Sequence, residues 1–505
     1  MDSRRDAMDA GGTRDAETAL RRSFTVLVAL TLASAVSSTT FFHPDEHHQV
    51  VEFAGLALGF TKPEELPWEY AARIRPWLQP ALYFVVAKFA QAAGVADRFA
   101  LLALFRVVTA VASLLAMRAL AGVALRELPD VRMRKYLAYT IGWFGFLPYL
   151  FVRTSSETLA GALLAGAVAL AWDSRAVGVR HAVACGALLG LAFEVRFQSA
   201  FASVGVLAWL AFVRRAAPGH LAILCSSGLV VLGLAALVDR WGYGTWCLPP
   251  LGYVRANVVE GIAGTFGREP FWAYPFLVVV NVFAPLAATS VLALAVAAWR
   301  HPRHVLVWAA VPFFVAHSFV EHKEERFLFP LVFLVPALVA LAFGGAASAP
   351  RTRALVRMAL AASAPVMLLQ LARPLGFRAQ LRWAGEFEVK MSGEPRVLVV
   401  PDIEFPRYPF LQPTRPVAVA WDGRCVPFVP ARVFQDVPAP EPLAACDGAP
   451  TRQRLIASDL PFATREEWAR LVTRATRGWN ALRATGLPLP FLRFATVVEV
   501  QPAEP

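Results

Sequence analysis

The stretch SFTVLVALTLASAVSSTT, residues 23–40, runs directly into FFHPDEHHQ, residues 41–49. The first part is uncharged over 18 residues, enough helix to approach the ~30 Å hydrocarbon core of a bilayer. The second part packs His43, Asp45, Glu46, His47 and His48 into six positions. Around this junction the 505-residue chain is 57% hydrophobic and only 17% charged, against roughly 25% charged for soluble chains. Apolar runs recur from residue 23 to 371. The pattern excludes an ordinary soluble enzyme and predicts an all-α polytopic membrane protein with ten to twelve transmembrane helices.

Arg21 and Arg22 precede the first run, so the positive-inside rule places the segment after it on the outer side. Residues 43–76, with six acids and three bases, then form a large extracytoplasmic loop. Further runs fall near 77–94, 98–122, 136–152, 156–173, 181–194, 198–214, 220–238, 271–298, 304–319, 327–345 and 354–371. Five basic turns, at 126–135, 175–180, 214–215, 300–304 and 351–357, fit a shared cytoplasmic side. Residues 1–22, mixed in charge and without apolar periodicity, read as a disordered tail ahead of an uncleaved first helix. Residues 372–505 read as a small extracytoplasmic α+β appendage, with strands at 396–400 and 417–421 and an amphipathic helix at 466–483.

The net charge of +12 lies in the short turns and forms no basic stripe, which argues against nucleic acid. No Gly-rich phosphate loop is present, which disfavours a nucleotide-driven transporter. Cys185, Cys225 and Cys247 read as packing residues, while Cys425 and Cys446 can pair outside the cytoplasm or stay free.

Two polar clusters carry the chemistry. In the first, Pro44 stiffens the turn and holds Asp45 and Glu46 near the end of the first helix. A carboxylate fixed there can act as general base. Helix capping by Asp45 and a metal site from His43, Asp45, His47 and His48 are the competing readings, the latter weakened because consecutive histidines on a helix diverge by about 100°. The second cluster is EHKEERF, residues 321–327, in which Lys323 and Arg326 stand one helical turn apart and can hold a phosphate. A solvated turn of paired charges is the alternative there. Arg153, Arg196, Asp239 and Tyr243 fall on the same predicted side.

His43-Pro-Asp-Glu46 with Gln49, then Trp68-Glu-Tyr70, Ile74-Arg-Pro-Trp77 and Pro80, then His322-Lys-Glu-Glu-Arg-Phe327, occur in an order that resembles the GT-C fold mannosyltransferases of glycosyltransferase family twenty-two. Asp239, Tyr243, Tyr253, Asn257 and Gly267 add to it. The resemblance spans about residues 23–345. A weaker likeness over Val397 to Trp421 points to the branch that adds the third mannose of glycosylphosphatidylinositol anchors, although Asp402 and Ile403 stand where that branch has Cys-His.

The family implies an inverting mannose transfer from polyprenyl (dolichyl) phosphate mannose to a lipid-linked glycan, without metal or cofactor, on the extracytoplasmic face. That means the endoplasmic reticulum lumen or the periplasm. Asp45 is then the base with Glu46 second, and His322, Lys323, Arg326 and Arg75 meet the donor phosphate. His43, Gln49, Trp68, Tyr70, Arg73, Arg153, Arg196, Asp239, Tyr243 and Asn257 are candidates for substrate contact. Another sugar on a lipid phosphate, a flippase of lipid-linked glycans and an inactive scaffold subunit are the alternatives.

Overall fold

Backbone polar groups in hydrocarbon must be bonded within the chain, so an apolar run there folds as helix. The computed structural model describes residues 2–38, 41–175, 178–281, 283–365 and, further on, 397–399, 418–420, 431–436, 445–447, 451–458 and 495–502. Its apolar runs are helical. Among the described residues three helices are long and apolar enough to cross a membrane: Gly11–Ser37, Arg98–Glu127 and Pro218–Tyr243. Residues 325–332 and 335–343 make a fourth if a span bent by 71° is counted. Pro330 and Pro336 lie in that bent pair, each removing a backbone donor.

Among the described residues the other apolar runs form helices of 17 residues or fewer, and the end of the run expected at 354–371 lies outside them. Residues 136–152 divide into Val131–Trp143 and Leu147–Leu150, and 271–298 into Tyr274–Asn281 and Ala284–Arg300. Hydropathy windows do not register such a break, because the residues at it, Phe144, Phe146 and Leu147 among them, are themselves mostly apolar.

Residues 2–22, expected as a disordered tail, lie in the first helix. The first helix begins at Asp2 and continues to Ser37. It docks along helix Val131–Trp143, where Lys135 Nζ meets Asp15 Oδ2 at 3.1 Å and Arg134 donates to Thr13 Oγ1 at 3.1 Å. Gly12 permits the approach, since a Cβ there would stand 2.9 Å from Val131 Cγ1. A low-hydropathy sequence gave no signal of a partner whose own bases it neutralises.

Helix Ser156–Trp172 is buried on almost every side and forms the centre of the core with Val335–Phe343 and parts of Arg98–Glu127. Helix Val179–Val195 packs against Pro218–Tyr243 through a small-residue seam. A Cβ on Gly186 would lie 2.0 Å from the Leu224 carbonyl oxygen, whereas one on Gly233 would meet nothing within 4 Å. Gly186→Val is therefore expected to lower the thermal midpoint sharply, by about 1–3 kcal/mol or more of stability. Gly233→Ala on the partner helix should leave it level or raise it slightly. Equal melting of the two variants in detergent would show that the seam is not closed as described.

The basic turns gather at one end of the molecule. Arg126 bonds Asp173 at 2.8 Å, Arg214 donates to the Asp173 carbonyl at 2.9 Å, and the Trp209 indole donates to the Arg303 carbonyl at 2.7 Å. Tyr136 reaches the Arg353 carbonyl at 2.7 Å. Four turns distant in sequence thus share one end, and the residues of both polar clusters lie at the opposite ends of the same helices.

In the C-terminal part, five strands form a mixed sheet in the order Ala418–Ala420, Val397–Val399, Ala431–Asp436, Ala495–Pro502, Thr451–Ser458. The first three neighbours are parallel and the rest antiparallel. Both expected strands are present. The helix expected at 466–483 and Cys425 lie outside the described residues. Cys446 is disulfide-bonded, and Cys185, Cys225 and Cys247 are free.

Candidate active site

Pro44 sits at the first position of a short helical turn, Pro44–Glu46, where its missing N–H costs nothing. His43 caps that turn, its Nδ1 accepting the Asp45 N–H at 3.2 Å. The chain then widens into a π-helical turn, His47–Val51, before the helix Glu52–Leu58. This sequence of turns separates the two acids. Glu46 turns inward and is 2% exposed. Its carboxylate accepts from Phe42 N at 2.9 Å and from Thr154 N and Oγ1 at 2.7 and 3.1 Å. Asp45 turns the other way, toward the second polar cluster.

Arg326 Nη2 meets Asp45 Oδ2 at 2.6 Å across 281 positions of sequence. The same guanidinium grips Glu324 with Nε at 2.5 Å and Nη2 at 3.1 Å, and approaches Glu157 with Nη1 at 3.4 Å. Glu157 lies in the first turn of helix Ser156–Trp172, where the helix N-terminus favours an anion. Arg196, just past the end of helix Val179–Val195, closes the group at 3.0 Å from Glu157. On the far side His322 Nε2 meets Glu324 at 2.9 Å, and His43 Nε2 stands 3.4 Å from it.

The charges set the protonation states. Burial by itself would raise the Asp45 carboxyl, but the Arg326 guanidinium overrides it, with His43 and Arg75 adding, and holds it well below the usual carboxylate range. Glu324 is likewise drawn down to about 2 against the opposing effect of burial, chiefly by its hydrogen bonds and charge contact with Arg326. Burial and then Arg326 lower His43, with Asp45 and Glu324 resisting. Asp45 is thus an ionised acceptor in a site whose imidazole is mostly neutral at pH 7.

Beside this network Gln49, Arg75, Gln79, Arg196, Gln198 and Tyr253 line a cleft. Arg75 Nε, Arg196 Nε and Gln79 Oε1 are buried with no hydrogen-bond partner among the described residues. Gln49 donates to Glu69 at 3.0 Å, and Arg75 stands 3.4 Å from the same oxygen. Tyr243 exchanges hydrogen bonds with the Arg75 backbone, donating at 2.7 Å and accepting at 3.3 Å, and its ring stacks on Tyr70 at 5.5 Å. Asp239 accepts the Trp77 N–H at 2.8 Å, fixing the end of the first loop to the long helix Pro218–Tyr243.

Other candidates stand apart. Lys323 does not share a seat with Arg326: its ammonium donates to the carbonyls of Glu269 and Val320 at 2.9 and 2.5 Å. The residues around 324 are extended rather than helical, so the one-turn spacing expected of the two cations is lost. Arg153 donates to Ser38 Oγ at 2.5 Å and to the Tyr149 carbonyl at 3.2 Å, serving the end of the first helix. Asn257 bonds the Tyr253 carbonyl at 3.1 Å. Trp68 is 39% exposed, and Arg73, at φ 53°, forms an exposed left-handed kink. His47 faces Glu52 at 2.5 Å inside the first loop, away from His43, so the four candidate metal ligands of residues 43–48 do not converge. Among the described residues no group of three or more His, Cys, Asp or Glu is arranged to hold a metal ion.

Sequence reading gave Glu324, inside the second cluster, and Glu157 no role in the site, and missed Arg106 altogether. Arg106 is 2% exposed, donates to the Ser38 carbonyl and lies over the Phe41 ring at 5.6 Å. An arginine inside the apolar run 98–122 was the available signal.

A sequence model described as the Alg9-like mannosyltransferase family matches residues 22–380. The chain belongs to that family. It is 27% identical over 369 residues to GPI mannosyltransferase 3 of Gibberella zeae, a match covering 63% of this chain and 58% of that protein. A shorter match, 35% over 104 residues, covering 20% of this chain and 18% of the relative, is to a probable Dol-P-Man:Man(7)GlcNAc(2)-PP-Dol alpha-1,6-mannosyltransferase of Schizosaccharomyces pombe. Matches to the first curated relatives span less than two thirds of the relatives' own length. The crystal structure of ArnT from Cupriavidus metallidurans bound to undecaprenyl phosphate superposes with a TM-score of 0.53 at 14% identity, covering 78% of this chain and 84% of that one. The Alg9-like chain therefore has the GT-C fold.

Proposed function

We propose that this membrane protein transfers mannose from a polyprenyl (dolichyl) phosphate mannose to a hydroxyl of a lipid-linked glycan, with inversion. The observation that carries the reading is the 2.6 Å contact between Asp45 and Arg326, which joins the first loop's acid to the second cluster's cation. The acceptor hydroxyl attacks C1 of mannose as the C1–O bond to phosphate breaks. Asp45 takes the hydroxyl proton, and the electron pair leaves on the phosphate oxygen. Arg326 and His322, with Arg75 and Arg196 from the cleft side, stabilise the charge that gathers there. Gln49, Gln198 and Tyr253 offer amide and phenol groups to sugar hydroxyls.

A mannosyl donor on a lipid phosphate is supported by family membership and by the donor named in the fission yeast relative. Undecaprenyl phosphate on a protein of the same fold supports a lipid phosphate in general. The end of the bundle opposite the basic turns is then the extracytoplasmic one.

The test supplies the purified chain with radiolabelled mannose on polyprenyl phosphate and a pool of lipid-linked acceptors. Label should enter the acceptor pool, and GDP-mannose should give none. Transfer of aminoarabinose but not mannose would reject the sugar, and transfer from GDP-mannose alone would reject the donor class.

A further inference from the structure

The carboxylate of Glu324 has the contacts of a bound phosphate. It takes the Nε and Nη2 edge of Arg326 at 2.5 and 3.1 Å, the fork that arginine offers to phosphate and carboxylate alike. His322 meets it at 2.9 Å and His43 at 3.4 Å. His322 keeps its Nδ1 buried without a hydrogen-bond partner among the described residues, so nothing on that side fixes the ring to Glu324.

Three carboxylates already surround Arg326, and a phosphate cannot join them without displacing one. Glu157 is 2% exposed and is shared with Arg196 at a helix N-terminus. Asp45 is fixed by the turn that begins at Pro44 and touches Arg326 with one oxygen. Glu324 differs from both. It stands in an extended conformation on the irregular segment between helix Val305–Ser318 and the turn at 325–328, outside the capped turn that fixes Asp45, and unlike Glu157 its side chain reaches solvent.

We propose that Glu324 is a resident anion that holds Arg326, His322 and His43 assembled in the resting site and yields that seat to the phosphate of the lipid donor. The inference rests on the donor class proposed above. Glu324 is a positioning residue: it keeps the guanidinium oriented while the site is empty and competes with donor and product for the same donors of hydrogen bonds. The competition speeds departure of the product lipid phosphate, which carries more charge than the diester donor.

The experiment measures binding of undecaprenyl phosphate to the full chain in nanodiscs for wild type, Glu324→Gln and Glu324→Asp, together with KM and kcat for the lipid donor. Glu324→Gln is expected to bind about tenfold tighter, within the usual range for coupling between competing charges. Its donor KM and its kcat should both fall, the latter because product leaves slowly. Glu324→Asp, which keeps the charge but shortens the reach, should lie between. A folding defect would weaken binding, so tighter binding separates the proposal from a structural role. Equal or weaker binding by Glu324→Gln, with wild type still using the lipid donor, overturns this proposal alone. A wild type that binds no polyprenyl phosphate overturns both this proposal and the donor class.

Discussion

Asp45→Asn is expected to reduce mannose transfer by at least ~10²-fold, the scale of losing a general base, while binding of the lipid phosphate and the thermal midpoint stay close to wild type. Asparagine preserves the shape and can still accept from Arg326 Nη2, now 2.6 Å away, but it cannot take a proton. Arg326 also retains Glu324 and Glu157, so the variant leaves no uncompensated cation. The pH profile gives a second check. The Asp45 carboxyl lies below its usual range because Arg326, His43 and Arg75 outweigh burial, so it is ionised throughout the neutral region. Turnover should lose the contribution of Asp45 only as the pH falls well below about 4, the ordinary aspartate value. Transfer by Asp45→Asn within a factor of about three of wild type would remove Asp45 from the chemistry.

The path from sequence to site was legible where a cost is local. Charges beside an 18-residue apolar run are expensive without a purpose, and both polar clusters were visible for that reason. What the sequence concealed was pairing. Lys323 and Arg326 are three positions apart, which on a helix puts them on one face. The segment is instead extended at Glu324, which sends Lys323 to the Glu269 and Val320 carbonyls and leaves Glu324 itself on Arg326. Asp45 and Glu46 were adjacent, and only the family resemblance ranked Asp45 first. The capped turn at His43 aims one at Arg326 and the other at the Thr154 backbone. Glu157 was ambiguous for a related reason, because an acid in a first helical turn explains itself by capping alone. Its contact with Arg196 and Arg326 depends on three elements meeting.

The fold shows the same division. Basic turns separated by more than 200 residues share one end as the sequence pattern implied, because the signal is a property of each turn. The docking of residues 13–15 on residues 134–135 did not, since neither stretch is unusual until the other is placed beside it. The apolar average likewise records composition and not the break at 144–146.

Arg326→Gln is expected to destabilise the protein and abolish transfer together. The guanidinium, 7% exposed, is the shared partner of Asp45, Glu157 and Glu324. Removing one member of a buried ion network costs about 3–5 kcal/mol, because the charges left behind have lost their water as well as their partner. Asp45 and Glu324 are 29% and 20% exposed, and solvent screens part of their repulsion, so a loss near 3 kcal/mol is the appropriate figure. The sign with pH comes from the same contacts. In wild type both carboxyls are depressed, so the network's stabilisation is present above the unfolded carboxylate values near 4 and disappears as pH falls through the folded values. In Arg326→Gln burial is opposed only by the weaker pull of His43 and Arg75 on Asp45 and of His43 and His322 on Glu324, so both carboxyls rise and protonation relieves the repulsion. The gap in thermal midpoint between wild type and variant should therefore be wide at pH 7.5 and narrower at pH 5. Arg326→Lys should recover only part of the stability, since one ammonium cannot bond three carboxylates arranged around a planar fork. A variant that melts with wild type at both pH values would show that the three acids do not depend on Arg326, and the site would have to be rebuilt around another cation.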